Sequence, residues 1–308
     1  MDEFELIQRY FVRTDEARGV ITGIGDDGAV LRPDSGFELI SVIDTLVEAV
    51  HFPTGIAAAD LGYRAVAVNL SDVAAMGGRP RWMTLALTMP DADEHWIRGF
   101  AEGLHVAAAQ HGVALVGGDT TKGKDVVVSI QITGDVVEGG AIHRSGATIG
   151  DAIFVTGTIG DAAAGLELLQ AEQDNDFLLQ RFLRPAARVD FGQSLVGVAS
   201  AAIDLSDGLY ADLQKLLSAS GVGAQIDLDL LPLSDELRAI FDSRAQRRFA
   251  LSGGDDYELC FTAPEDASFD AGTLRVTRIG TITAGEKLVC RDAGGIVEYS
   301  DRGYRHFR

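Results

Sequence analysis

Ala201-Ala202-Ile203-Asp204-Leu205-Ser206-Asp207-Gly208-Leu209 reads as a short apolar strand that runs into an aspartate-rich turn, after which a helix begins. The helix is expected over 207–219, with Gly221 as its C-terminal cap. The same alternation recurs upstream. A strand at 152–156 turns at 157–161, and Asp161 is expected to N-cap a helix over 162–169. Further helices are expected over 177–183 and 191–200. In the first half, an apolar run over 39–43 ends at Asp44, and helical spacing over 60–76 stops at Gly77-Gly78. A second helix is expected over 93–110, a strand over 113–116 that stops at Gly117-Gly118-Asp119, and a strand over 126–133. The glycine-rich, polar stretch from Glu138 to Asp151 separates the halves. Interleaved strands and helices on both sides predict two α/β domains of layered α+β type, over 1–140 and 141–308.

Composition narrows the function. The chain has 308 residues, 46% of them hydrophobic, so it can bury a sizeable core without staples. Lys and Arg number 26 against 46 Asp and Glu, a formal net charge of -20. That balance argues against nucleic acid and anionic membrane surfaces as partners. Anionic substrates stay open where metal ions mediate the contact. Two cysteines in no metal-like spacing, an acidic N-terminus and no apolar run of spanning length predict a cytoplasmic chain.

Two near-motifs fail on chemistry. Gly23-Ile24-Gly25-Asp26-Asp27-Gly28 has the spacing of a dinucleotide loop, but two carboxylates stand where pyrophosphate would lie. At about 4 Å and an effective dielectric near 20, each such contact costs about 4 kcal/mol before screening. Gly118 to Asp125 approaches a P-loop, yet its last position is Asp125 in place of Ser or Thr, and a strand follows.

What recurs instead is aspartate at strand ends and beside glycine: Asp26 and Asp27, Asp44, Asp119, Asp204 and Asp207, with Asn69 and Asp72 three residues apart on one helix. Carboxylates without clustered His or Cys favour a hard divalent cation, which shares its coordination with water and phosphate oxygens. The pattern suits metal-assisted phosphate chemistry. Taken alone it also allows an acidic divalent-cation- or nucleotide-binding protein without turnover, which ATP consumption dependent on a second substrate would separate.

An ordered set of segments resembles the thiamine-monophosphate kinase family. These are Ile24-Gly25-Asp26-Asp27, Asp44-Thr45-Leu46-Val47 with His51-Phe52, Ala67 through Gly77, Gly117 through Thr121, Arg144-Ser145-Gly146-Ala147, Ile203 through Leu209, Leu251 through Leu259, and Gly303 through Phe307. The resemblance implies two α/β domains, the first binding ATP and magnesium and pairing through its sheet in a homodimer, the second completing the nucleotide and substrate site. It implies ATP-dependent phosphorylation of thiamine monophosphate to thiamine diphosphate, the last step in making that cofactor, by direct in-line transfer without a general base or covalent nucleophile. Asp27, Asp44, Asp72, Asp119 and Asp204 are implied magnesium ligands, and Asp207 a ligand to a further magnesium. Gly118, Asp119, Arg144 and Ser206 are implied ATP contacts, and His51, Asp255 and Tyr304 implied contacts to thiamine monophosphate. Two departures stand out. Val42 and Ile43 replace Ser-Thr before Asp44, and Asp255 replaces a glutamate. Related selenophosphate synthetases need an early reactive cysteine, and none precedes Cys260. Aminoimidazole ribonucleotide synthetase, of the same superfamily, is disfavoured by the 204–209 and 303–307 segments.

Overall fold

The computed structural model describes residues 3–13 and 17–299. Tyr304 lies outside the described residues. The chain divides into two compact units, Met1–Val73 with Gly78–Gly139, and Ala74–Gly77 with Gly140–Arg308.

In the first unit, α1 (Glu3–Leu6) runs into a turn of π-helix (Ile7–Phe11). The strands are β1 (Val20–Thr22), β2 (Val30–Leu31), β3 (Phe37–Val47), β4 (Arg79–Met89), β5 (Ala114–Lys122) and β6 (Val127–Val137), with helices α2 (Ala58–Ala75) and α3 (Glu94–Gln110). Among the described residues, β1 and β2 pair as a hairpin, and the other strands form a sheet in the order β3-β6-β4-β5. Only its β4–β5 pairing is parallel. One sheet face is apolar and buried: Ile40 and Leu46 of β3, Val128, Ile130 and Ile132 of β6, Leu85 and Leu87 of β4. Ile97, Phe100, Ala101, Leu104 and Ala108 give α3 a matching buried stripe at helical spacing. The Asp93 side chain caps α3 by accepting the His95 N–H at 2.9 Å.

The second unit holds strands β7 (Ala152–Thr156), β8 (Ala201–Asp204), β9 (Gly223–Asp227), β10 (Leu259–Ala263), β11 (Val276–Thr283), β12 (Leu288–Asp292) and β13 (Gly295–Val297). Its helices are α4 (Asp161–Gln170), α5 (Asp176–Leu183), α6 (Val189–Ser194), α7 (Leu209–Ser220), α8 (Asp235–Ile240) and α9 (Ser243–Ser252). The sheet order is β13-β12-β9-β11-β7-β10-β8 among the described residues. Ile153, Val155, Ile203, Leu213, Leu216, Ile226 and Cys260 meet in its core. The Cys260 thiol is pushed up to about 12 by burial and is inert.

Several local expectations change. Asp44 and Asp119 do not end strands. β3 runs on to Val47 and β5 to Lys122, because each keeps a full ladder on its neighbour. Gly117-Gly118 is absorbed into β5 rather than breaking it. Gly160, left-handed at φ 87°, caps α4 in place of Asp161. Asp161 sits buried in the first turn, accepting from Thr158 and Ser234. The helix expected over 191–200 is the short α6, because 195–200 turns back into β8.

Candidate functional site

A cavity of about 480 Å³ opens in the first unit. Ile7 and Phe11 of the π-turn form one wall, the loop from Ile24 to Ala29 another, and Leu85 with Leu115 to Thr120 the third. It gathers Asp26, Asp27, Gly118 and Asp119, residues 91 or more positions apart across the two groups in the chain but adjacent here. The β4–β5 register slips between Met83–Leu115 and Thr84–Gly117, so Val116 is an extra residue and the edge strand bulges before Asp119. Gly118 has φ 158°, and a Cβ there would lie 2.0 Å from the Leu85 carbonyl oxygen, so only glycine fits the approach. In the loop, the Asp27 N–H donates to Asp26 Oδ1 at 2.9 Å.

The sheet places the remaining first-unit candidates elsewhere. Asp44 shares a cross-strand row with Ile130, Leu85 and Gly118, whereas Asp119 shares the next row with Ala86, Ser129 and Thr45. Adjacent rows face opposite sides, and three strand spacings separate β3 from β5, roughly 14 Å. Asp44 and Asp72 are half-buried and neither lines the cavity. Ile43, 66% exposed, points to the open sheet face, away from Asp44. His51 closes the turn after β3, its Nδ1 accepting the Val47 N–H at 3.0 Å, which leaves Nε2 to carry the proton of the neutral ring.

In the second unit the turn after β8 and the Gly253–Glu258 segment face each other. Asp204 is 4% exposed at the end of β8. The Asp255 N–H donates to the Ser206 carbonyl at 2.9 Å, and the Tyr257 N–H to that of Leu205 at 2.9 Å. Asp255 and Tyr257 both adopt positive φ, 63° and 52°, and the Tyr257 hydroxyl donates to Asp255 Oδ1 at 3.1 Å. Asp204, Ser206, Asp207 and Asp255 are thus brought together. Arg144 is not: its carbonyl accepts from Ser220 Oγ at the C-terminal end of α7, while Ser206 and Asp207 precede its N-terminus. A twelve-residue helix is about 18 Å long, so the Arg144 backbone stands well apart from that turn.

Sequence reading missed the supports of this turn. Asp212 accepts from the Ser206 and Asp207 N–H groups, and Lys215 bridges Asp212 and Asp207. Behind Tyr257, Glu258 is fully buried, with its oxygens on Arg188 Nε (2.7 Å), Arg181 (3.0 Å) and Thr156 Oγ1 (2.6 Å). Burial opposes ionisation of Glu258, but Arg188 and Arg181 hold its carboxyl below the usual range. Asp256 accepts the Gly160 and Ala162 N–H groups at the start of α4. A buried acid closely spaced with arginines is invisible as a pair in one dimension, since Arg188 and Glu258 are 70 positions apart.

Among the described residues no group of three or more His, Cys, Asp or Glu converges closely enough to hold a metal ion by itself. The donor chemistry still fits magnesium, which uses one or two carboxylates and completes its shell with water and phosphate oxygens. Asp26, Asp27 and Asp119 around the first cavity, and Asp204 and Asp207 in the second unit, offer that.

Comparison with known proteins agrees with this architecture. Residues 25–136 match the family model described as AIR synthase related protein, N-terminal domain, and residues 148–293 its C-terminal domain. The thiamine-monophosphate kinase of Salmonella typhimurium is 47% identical over 99% of this chain and 98% of its own. The crystal structure of thiamine-monophosphate kinase from Stenotrophomonas maltophilia superposes with a TM-score of 0.87 at 43% identity, covering 96% of this chain and 98% of that one. A structure described as AaThiL complexed with AMPPCP and TMP superposes at 0.81 with 35% identity, over 92% of each chain. With both units matched and near-complete coverage of such relatives, the chain belongs to the thiamine-monophosphate kinase family.

Proposed function

We propose that this protein transfers the γ-phosphoryl group of ATP to thiamine monophosphate, forming thiamine diphosphate and ADP. The observation that carries the reading is the end-to-end likeness to thiamine-monophosphate kinases, one relative having been solved with AMPPCP and TMP. Both reactants are anions, so the electrostatic task is to bring two phosphates together. Magnesium, when bound, supplies the charge neutralisation. Asp26, Asp27 and Asp119 hold it at the first cavity, and Asp204 and Asp207 hold it in the second unit, with Asp44 and Asp72 as further carboxylates. Gly118, whose missing Cβ lets the strand lie close to the Leu85 carbonyl, contacts ATP together with Arg144 and Ser206. His51, Asp255 and Tyr304 contact the thiamine substrate. A phosphate monoester oxygen is largely ionised at neutral pH, its second pKa being about 6. No strong general base is needed, and transfer is direct and in line.

The same reading makes the protein a cytoplasmic homodimer paired through its first-unit sheet. Supporting the pairing, Leu39 at 52% and Ile43 at 66% exposed stand beside Ser41 and Thr45 on one sheet face among the described residues. The test of function is chromatography of products from thiamine monophosphate, ATP and magnesium, with free thiamine run alongside. Thiamine diphosphate arising only from the monophosphate is the expected result. ATP and magnesium binding without any product overturns the kinase reading.

A further inference from the structure

The turn that carries Ser206 and Asp207 is built around an internal anion. Successive backbone N–H groups aimed at one point form a cradle that elsewhere receives phosphate. Here the Ser206 and Asp207 N–H groups both donate to Asp212 Oδ2, at 3.0 and 2.9 Å. Asp212 is 1% exposed, in the first turns of α7. Its other oxygen accepts from Lys215 Nζ at 2.8 Å, and the same ammonium reaches Asp207 Oδ2 at 2.6 Å. The Ser206 carbonyl in turn accepts the Asp255 N–H. Both backbone polar groups of Ser206 are therefore committed within the protein, and the side-chain hydroxyl is what it presents to a ligand. Asp207 is likewise held by a resident cation.

We infer that Asp212 and Lys215 are a positioning pair: Asp212 fixes the turn so that Ser206 faces ATP through its hydroxyl, and Lys215 holds the Asp207 carboxylate in competition with a divalent cation. The inference rests on the kinase reading above for the identity of the nucleotide, and on the structure alone for the pairings. It predicts opposite signs for the two partners. Asp212→Asn removes the charge that ties Lys215 down and leaves the ammonium to Asp207 alone, so divalent cations bind more weakly there. Lys215→Met removes the competitor, so they bind more tightly. A purely structural contribution would loosen the site in both variants and shift both the same way.

The experiment uses the full chain without nucleotide. Manganese binding is followed by electron paramagnetic resonance, and exchange of the Ser206 and Asp207 amide protons by NMR. Kinetics with ATP and thiamine monophosphate are measured in parallel. Supporting residues of this kind typically change metal affinity or activity by about 10- to 100-fold. Asp212→Asn is expected to weaken manganese, speed exchange of both amides, and raise KM for ATP more than it lowers kcat. Lys215→Met is expected to tighten manganese several-fold on the scale of about 10-fold, with Lys215→Arg returning it to the wild-type value. Unchanged amide exchange in Asp212→Asn, or shifts of the same sign in both variants, overturns the inference. If Asp212→Asn fails to fold, the Lys215→Met and Lys215→Arg pair decides by itself. A wild-type protein that makes no thiamine diphosphate refutes the kinase reading, and the exchange and manganese measurements still judge the pair.

Discussion

Asp119 stands beside a glycine that only a close approach to Leu85 explains, on a bulged edge strand at the mouth of the first cavity. Asp119→Asn keeps its size and removes its charge. Turnover should fall by about 10²–10³-fold, the usual cost of losing one preorganised charge contact, with the circular dichroism spectrum unchanged. An active, normally folded variant would take Asp119 out of the phosphate site. Asp256 makes a prediction about pH. Burial pushes its carboxyl up to about 8 from an ordinary 3.8. The folded protein then holds the proton more tightly than the unfolded chain does. The stabilising contribution is complete below about pH 3.8 and is lost as pH rises through about 8. Asp256→Asn should flatten that decline in urea midpoints between about pH 5 and about pH 8. A variant whose midpoint falls as steeply as the wild type's would show that Asp256 is not the titrating group.

At the scale of elements, α2 and α3 meet backbone to backbone over the first-unit sheet. A Cβ on Gly103 would lie 1.8 Å from the Ala59 carbonyl oxygen, and one on Gly62 2.1 Å from that of Phe100. Gly103→Ala therefore has to push the helices apart, against a sheet face already filled by Ile130, Leu85 and Leu87. Overpacking of this kind costs about 1–3 kcal/mol, read as a lowered denaturant midpoint at unchanged slope. A midpoint equal to wild type would mean that the two helices separate without cost. The second unit relies on a different device. The fully buried Glu258, with the partly buried Arg188 and Arg181, ties the start of β10 to the segments around α5 and α6. Gly157 makes room for it, since a Cβ there would sit 2.0 Å from Glu258 Oε1.

At the scale of the whole molecule, the sheet face that exposes Leu39 and Ile43 bears on assembly. Ile43→Asp places a charge on the β3 edge of that face, and sedimentation equilibrium should show the proposed dimer reduced to monomers of half the mass. A dimer that survives the change would move the interface elsewhere. Much of the fold was legible in one dimension. A short apolar run marked the 152–156 strand to the residue, and helical spacing marked α2, α3 and α7 to within two residues, because burial leaves its signature in the local order of apolar residues. Family and chemistry were legible for the same local reason: Asp-Leu-Ser-Asp-Gly-Leu and its companions are contiguous segments, each built around one turn. Strand ends at Asp44 and Asp119 were misread, since a glycine or aspartate halts a strand only when no neighbouring ladder holds it, and pairing partners lie far along the chain. Amino-acid order by itself thus determined the α/β elements, the acidic character and the family. Only the tertiary structure decided that Asp26, Asp27 and Asp119 share a cavity while Asp44 does not, and that Asp212, Lys215 and Glu258 support the second-unit loops. The physical reason is that sheet register and buried ion pairing are non-local, set by contacts among residues tens of positions apart.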